Sequence, residues 1–99
     1  MNTRIREFPA LDMAQTVLMV DDREENLASL EALLDDGKRL LLKASSGEEA
    51  LRLLLEHQVS LVLLDVQMPL MNGYEVARLM RGNRKTRNIP IIFLSLIHI

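Results

Sequence analysis

The sequence contains no cysteine, which removes disulfides, thiolate zinc sites and cysteine nucleophiles together and points to a reducing compartment, the cytoplasm. It also lacks any long apolar run. The closing stretch "IPIIFLSLIHI" is about half of the roughly 20 residues that a membrane-spanning helix needs. The opening "MNTRIREFPALDMAQT" carries arginines but no apolar core of the length a secretory signal requires. No internal repeat or low-complexity tract is present, and a formal charge of −2 gives no global attraction for nucleic acid or an anionic membrane. What is there, 48% hydrophobic and 26% charged residues over 99 positions, describes one globular domain near the lower end of the size range that folds alone.

Residues 1–15, with Pro9 and mixed polarity, read as a leader. The first firm element is "TVLMV", a short β-branched-rich run ending at Asp21-Asp22, which fits a strand buried on both faces of a parallel sheet. After it, "REENLASLEALLDDG" sets Leu27, Leu30, Leu33 and Leu34 at helical spacing, with Gly37 as the stop. The pattern repeats. "RLLLKA" is a second strand, and Ser46 followed by Glu49 is a capping box opening the helix "GEEALRLLLEHQ". "VSLVLLD" is a third buried strand, the loop "VQMPLMNG" follows, and Val76, Ala77 and Met80 mark a third helix. Pro90 then precedes a fourth strand, "IIFL". Alternating strands and helices predict an α/β three-layer sandwich around a parallel sheet.

Ligands of open parallel sheets bind beyond the carboxyl ends of the strands, where the strand order reverses. Those ends carry acids here: Asp21 and Asp22 after strand one, Asp65 at the end of strand three. With strands one and three as neighbours, three carboxylates share one cleft, and their mutual repulsion raises at least one pKa unless a cation neutralises them. An oxygen-only set of this kind suits Mg²⁺, and with the charge cancelled Asp65 can act as a nucleophile toward phosphorus. The competing reading is structural, because an aspartate after a strand commonly caps the next helix. Asp22 can do so in part, but two adjacent acids after a buried strand have little structural motive.

Taken in order, "VLMVDD", "ASSGEEAL", "LVLLDVQMPLMNGYEVARLMR" and "IPIIFL" resemble the receiver domain of two-component response regulators over residues 16–93. The resemblance implies a flavodoxin-like doubly wound sheet of order 2-1-3-4, with a fifth strand and the last helices missing. It implies Asp65 as the phosphoacceptor, taking a phosphoryl group from a sensor histidine kinase or phosphotransfer protein and passing the signal to an output domain that is not in this chain. Asp21 and Asp22 match the pair that holds Mg²⁺, Asp22 directly and Asp21 largely through water. Gln67 matches the position whose backbone carbonyl is a further metal ligand and whose side chain tunes dephosphorylation. Pro69 and Gly73 match the loop, where proline's fixed φ and glycine's freedom at positive φ shape the turn. Ser95 falls at the switch hydroxyl. The family's lysine after strand five has no position here.

Other signals receive plainer explanations. Arg78, Arg81, Arg84, Lys85 and Arg87 lie near a helix end whose dipole favours cations, and no aromatic residue interleaves with them, so no direct nucleic-acid binding is expected. His57, near the end of the second helix, has the same explanation, and the methionines fill the core. A haloacid-dehalogenase-like phosphatase also uses an aspartate after a parallel strand, but its motif needs a second acid two residues on, where this chain has Gln67. A pseudo-receiver that binds partners without phosphorylation is the other alternative, and the intact acid trio argues against it.

The ending is composite. The DNA string CTG TCT CTT ATA CAC ATC translates to "LSLIHI" and resembles a transposon-end adapter of sequencing libraries, so residues 94–99 read as a non-native tail after Phe93, and Ser95 with them. Different codons at those positions overturn this. The absent strand and helix are expected to leave apolar surface on strand four and helix one uncovered. At about 25 cal/mol per Å², a few hundred Å² removes several kcal/mol, so the 99-residue chain is expected to be marginal.

Overall fold

The computed structural model describes residues 15–94. Most of the leader, and the tail from Ser95 onward, lie outside the described residues. The elements run β1 (Thr16–Val20), α1 (Glu24–Leu34), β2 (Leu40–Ala44), α2 (Gly47–Glu56), β3 (Leu61–Asp65), α3 (Gly73–Arg81) and β4 (Ile91–Leu94). The strands form one parallel sheet of order β2-β1-β3-β4. Both the alternation and the order match the expectation, and β4 includes Leu94, placed opposite Asp65.

Each strand sends alternate residues to opposite faces, and the two cores sort accordingly. Leu18, Val20, Val62 and Leu64 pack under α2 and α3 with Ala50, Leu54, Val76 and Met80. On the other face Val17, Met19 and Leu63 meet α1 through Leu27. The helices therefore form outer layers on both sides of the sheet, the flavodoxin-like arrangement.

α1 departs from the expectation in two places. Leu27 is buried and Leu30 and Leu34 are partly so, but Leu33 is 80% exposed, because no described element packs over that edge. The helix also stops at Leu34, short of Gly37, since Asp35 and Asp36 turn their carboxylates onto the N–H groups of Gly37 and Lys38, both at 2.9 Å. Such local bonds offer the backbone an alternative to the helix. Gly37 sits in the turn beyond, at φ +76°. On β4, Ile92 and Phe93 are exposed, so the apolar surface expected on that strand and on α1 is present.

The basic stretch at the end of α3 and beyond stays exposed, but two of its side chains tie the connection down. Arg81 Nη1 donates to the carbonyls of Arg87 and Ile89 at 2.7 and 2.9 Å, and Lys85 Nζ donates to that of Leu55, in the last turn of α2, at 2.6 Å. Buried Thr86 closes the same connection by donating to Met80 O at 2.8 Å. His57 is the C-cap of α2, with its N–H on Leu53 O. Among the described residues no helix is long and apolar enough to cross a membrane.

Candidate functional site

Sheet order reverses between β1 and β3: the chain leaves β1 for β2 on one side and returns to the other side as β3. The register pairs Val20 with Leu64, so Asp21 and Asp65 leave the sheet side by side at its carboxyl edge. Asp21 is 1% exposed and Asp65 2%, while Asp22 faces solvent. One carboxylate oxygen from each of the three lies within 4.8 Å of the others. The three predicted acids thus converge on one cleft.

Their surroundings decide between capping and chemistry. The N-cap of α1 is Arg23, without any side-chain cap bond, and Asp22 makes no side-chain hydrogen bond among the described residues. Asp21, not Asp22, tethers the helix start: Oδ1 accepts from Arg23 N at 2.9 Å and Oδ2 from Asn26 Nδ2 at 3.1 Å. Asp65 caps nothing either, since α3 is capped by Asn72; its Oδ1 accepts a long bond of 3.3 Å from Gln67 N. Burial pushes the Asp65 carboxyl above the ordinary aspartate value, the Gln67 N–H opposes this, and the charges of Asp21 and Asp22 add to the rise.

Among the described residues no Lys or Arg forms an ion pair with any of the three; the neighbouring Arg23 pairs with Glu25 at 3.0 Å. Three hard oxygen donors close together, two of them buried and without a cation, form a donor set suited to a divalent ion such as Mg²⁺.

The loop from β3 to α3 is shaped differently from the expectation. Gly73 is not at positive φ. Its requirement is space: a Cβ there would lie 2.3 Å from the carbonyl oxygen of Asp65. Gly73 N donates to Val66 O at 3.0 Å, which seats the start of α3 against the backbone of Asp65 and Val66. The residue that takes positive φ is Leu70, at +67°. Asn72 and Glu75 form a complete capping box, whereas the expected box at Ser46 is half made. Glu49 N donates to Ser46 Oγ, but the Glu49 carboxylate accepts from Ser45 N instead.

The family model described as the response regulator receiver domain matches residues 17–98. The chain belongs to the response regulator receiver family. This receiver is 34% identical over 83 residues to the polar-differentiation response regulator DivK of Brucella ovis, covering 84% of this chain and 68% of that one. It is 42% identical over 85 residues to a probable cyclic di-GMP phosphodiesterase of Vibrio cholerae, covering 85% of this chain but spanning only 19% of that protein's length. Among solved structures, the N-terminal domain of a response regulator receiver protein from Methanoculleus marisnigri superposes with a TM-score of 0.79 at 33% identity, over 85% of this chain and 68% of that one. The chemotaxis protein CheY4 of Vibrio cholerae superposes at 0.76 with 28% identity, over 81% and 67%. The fold and the family are therefore those of a signalling receiver of two-component systems.

Two residues at the site carried no sequence reading. Asn26 holds Asp21, and the signal for it was an amide in the first turn of the helix that follows the acid pair. Asn72 was legible as an Asn-x-x-Glu capping pattern just before the helical run.

Proposed function

We propose that this receiver is a cytoplasmic phosphoacceptor: Asp65 takes a phosphoryl group from the phosphohistidine of a sensor kinase or phosphotransfer protein and biases an output element. The observation that carries the reading is the convergence of Asp21, Asp22 and Asp65 within 4.8 Å, with no Lys or Arg among the described residues ion-paired to any of them. In the transfer, an Asp65 carboxylate oxygen forms the new bond to phosphorus as the phosphorus–nitrogen bond to the donor imidazole breaks. The product is an acyl phosphate on β3.

Asp22, Asp65 and the Gln67 backbone carbonyl are the proposed direct holders of Mg²⁺, with Asp21 acting largely through water. When bound, the ion offsets negative charge on the phosphoryl oxygens and the acid cluster. The family's hydroxyl switch maps to Ser95. The phosphoryl group shifts the population of a two-state receiver rather than building a new fold.

Treatment of the chain with an acyl phosphate and Mg²⁺ is expected to raise its mass by one phosphoryl group, and Asp65→Asn to abolish the gain. Incorporation that persists in the variant moves the site elsewhere. A wild-type chain that takes up none is a binding-only pseudo-receiver.

A further inference from the structure

Asp21 differs from the other two acids of the cleft in having a donor on each oxygen. Arg23 N–H fixes Oδ1 at 2.9 Å and the Asn26 side-chain amide fixes Oδ2 at 3.1 Å. Both donors come from the same short segment, the N-cap and first turn of α1, so the carboxylate plane is held by two points one helical turn apart. Asp65 has one long bond and exposed Asp22 has none among the described residues. Asp21 is therefore the orientation-locked member of the trio, and Asn26 is the side chain that supplies half of the lock.

The lock bears on which cation the cleft prefers. Mg²⁺ takes six ligands in a near-ideal octahedron and keeps several waters, whereas Ca²⁺ takes six to eight oxygens, accepts bidentate carboxylates and tolerates irregular geometry. A carboxylate tied through both oxygens has to give up one of those bonds to turn and chelate an ion. With the Asn26 amide removed, Asp21 Oδ2 loses its described donor in a buried setting, where an unpaired acceptor is costly. The carboxylate can then pivot about its Arg23 bond toward any cation in the cleft, adding a protein oxygen and loosening the set.

We propose that Asn26 is a positioning residue that sets the cation preference of the cleft, favouring Mg²⁺ over Ca²⁺ by keeping Asp21 Oδ2 out of the ion's ligand shell. The inference rests on the metal reading given under Proposed function. It extends that reading to a residue that touches no ion. A purely structural role for Asn26, starting a helix that lacks a side-chain cap, predicts lower stability but an unchanged preference between the two ions.

Calorimetric titration of the chain with MgCl₂ and with CaCl₂ separates the two. Asn26→Ala is expected to lower the ratio of the Ca²⁺ to the Mg²⁺ dissociation constant by about tenfold, the low end of the effect of removing an outer-shell partner. Asn26→Gln, which retains an amide donor, is expected to recover part of the discrimination. Should Asn26→Ala lack a cooperative thermal transition, Asn26→Leu removes the donor while keeping the volume. Equal weakening for both ions, or no change for either, overturns the proposal while leaving the metal reading intact. A wild-type chain that binds neither ion overturns both.

Discussion

The two faces of the sheet receive equally apolar side chains from the same strands and end in different states. Under α2 and α3, Leu18, Val20, Val62 and Leu64 are sealed beneath two helices. On the other face α1 is the one helix among the described residues; it covers the central strands, but toward β4 the surface opens into a groove of about 450 Å³ lined by Leu30, Leu33, Phe93 and Leu94 together with Asp21 and Asn26. A strand's alternation only offers a surface to each side. Whether that surface becomes core depends on the helices available to cover it, and one helix cannot roof four strands.

The contrast can be broken first by truncation. Leu64→Ala on the sealed face is expected to cost about 2–5 kcal/mol, because the two helices cannot collapse into the cavity. Leu27→Ala under α1 is expected to fall at or below the low end of that range, since neighbours beside an open groove adjust more freely. Chemical denaturation followed by far-ultraviolet circular dichroism measures both, and equal costs would mean the faces are equally closed.

Next in size is Gly73→Ala, which attacks the seam between the sealed face and the cleft. A methyl group in contact with the Asp65 carbonyl must displace α3 or the loop, and the expected cost is about 1–3 kcal/mol in the same measurement. An unchanged midpoint would show that the helix start is looser than the close approach implies.

The cleft itself gives a pH-dependent comparison. The Asp65 pKa is raised by burial and then by Asp21 and Asp22, so the native state holds this proton more tightly than the unfolded chain does. Its contribution to stability is fully present below the unfolded-state value and is lost as pH rises through the native-state value. Asp65→Asn, neutral at every pH, is therefore expected to melt above wild type near neutrality in metal-free buffer and to match it at strongly acid pH. A gain that grows toward acid has the wrong sign and would remove the burial argument.

The smallest effect belongs to the open face. Leu33→Gln is expected to change stability by no more than about 0.5 kcal/mol while reducing self-association in sedimentation velocity. A large loss would show Leu33 buried in solution.

β1 and β3 were legible because doubly buried parallel strands are short continuous apolar runs that end in polar residues, as at Asp21 and Asp65, whereas the strand order followed only from the family resemblance. The acid trio was legible for the same reason: chemistry at a switch point sits on the residues that terminate the strands. Leu33 was not, since its spacing from Leu30 and Leu34 fits a core stripe and only the missing neighbour exposes it. Gly73 was marked correctly as a position that needs glycine, but for the wrong cause. Backbone proximity between residues 65 and 73 is a tertiary fact with no local signature, and nothing about an exposed leucine advertises the positive φ of Leu70. Which acid tethers the start of α1 was equally hidden, because Asp21 and Asp22 are identical side chains distinguished by which one the sheet edge turns inward.

The contact between Gly73 and the Asp65 carbonyl has a consequence for genetics. A mutational scan of this receiver scored only by signalling would rank position 73 beside Asp65, the proposed phosphoacceptor, although glycine brings no functional group to the cleft. Scoring the same library for abundance as well would pull the two apart: substitutions at 73 would deplete the protein, while Asp65→Asn would accumulate and stay silent.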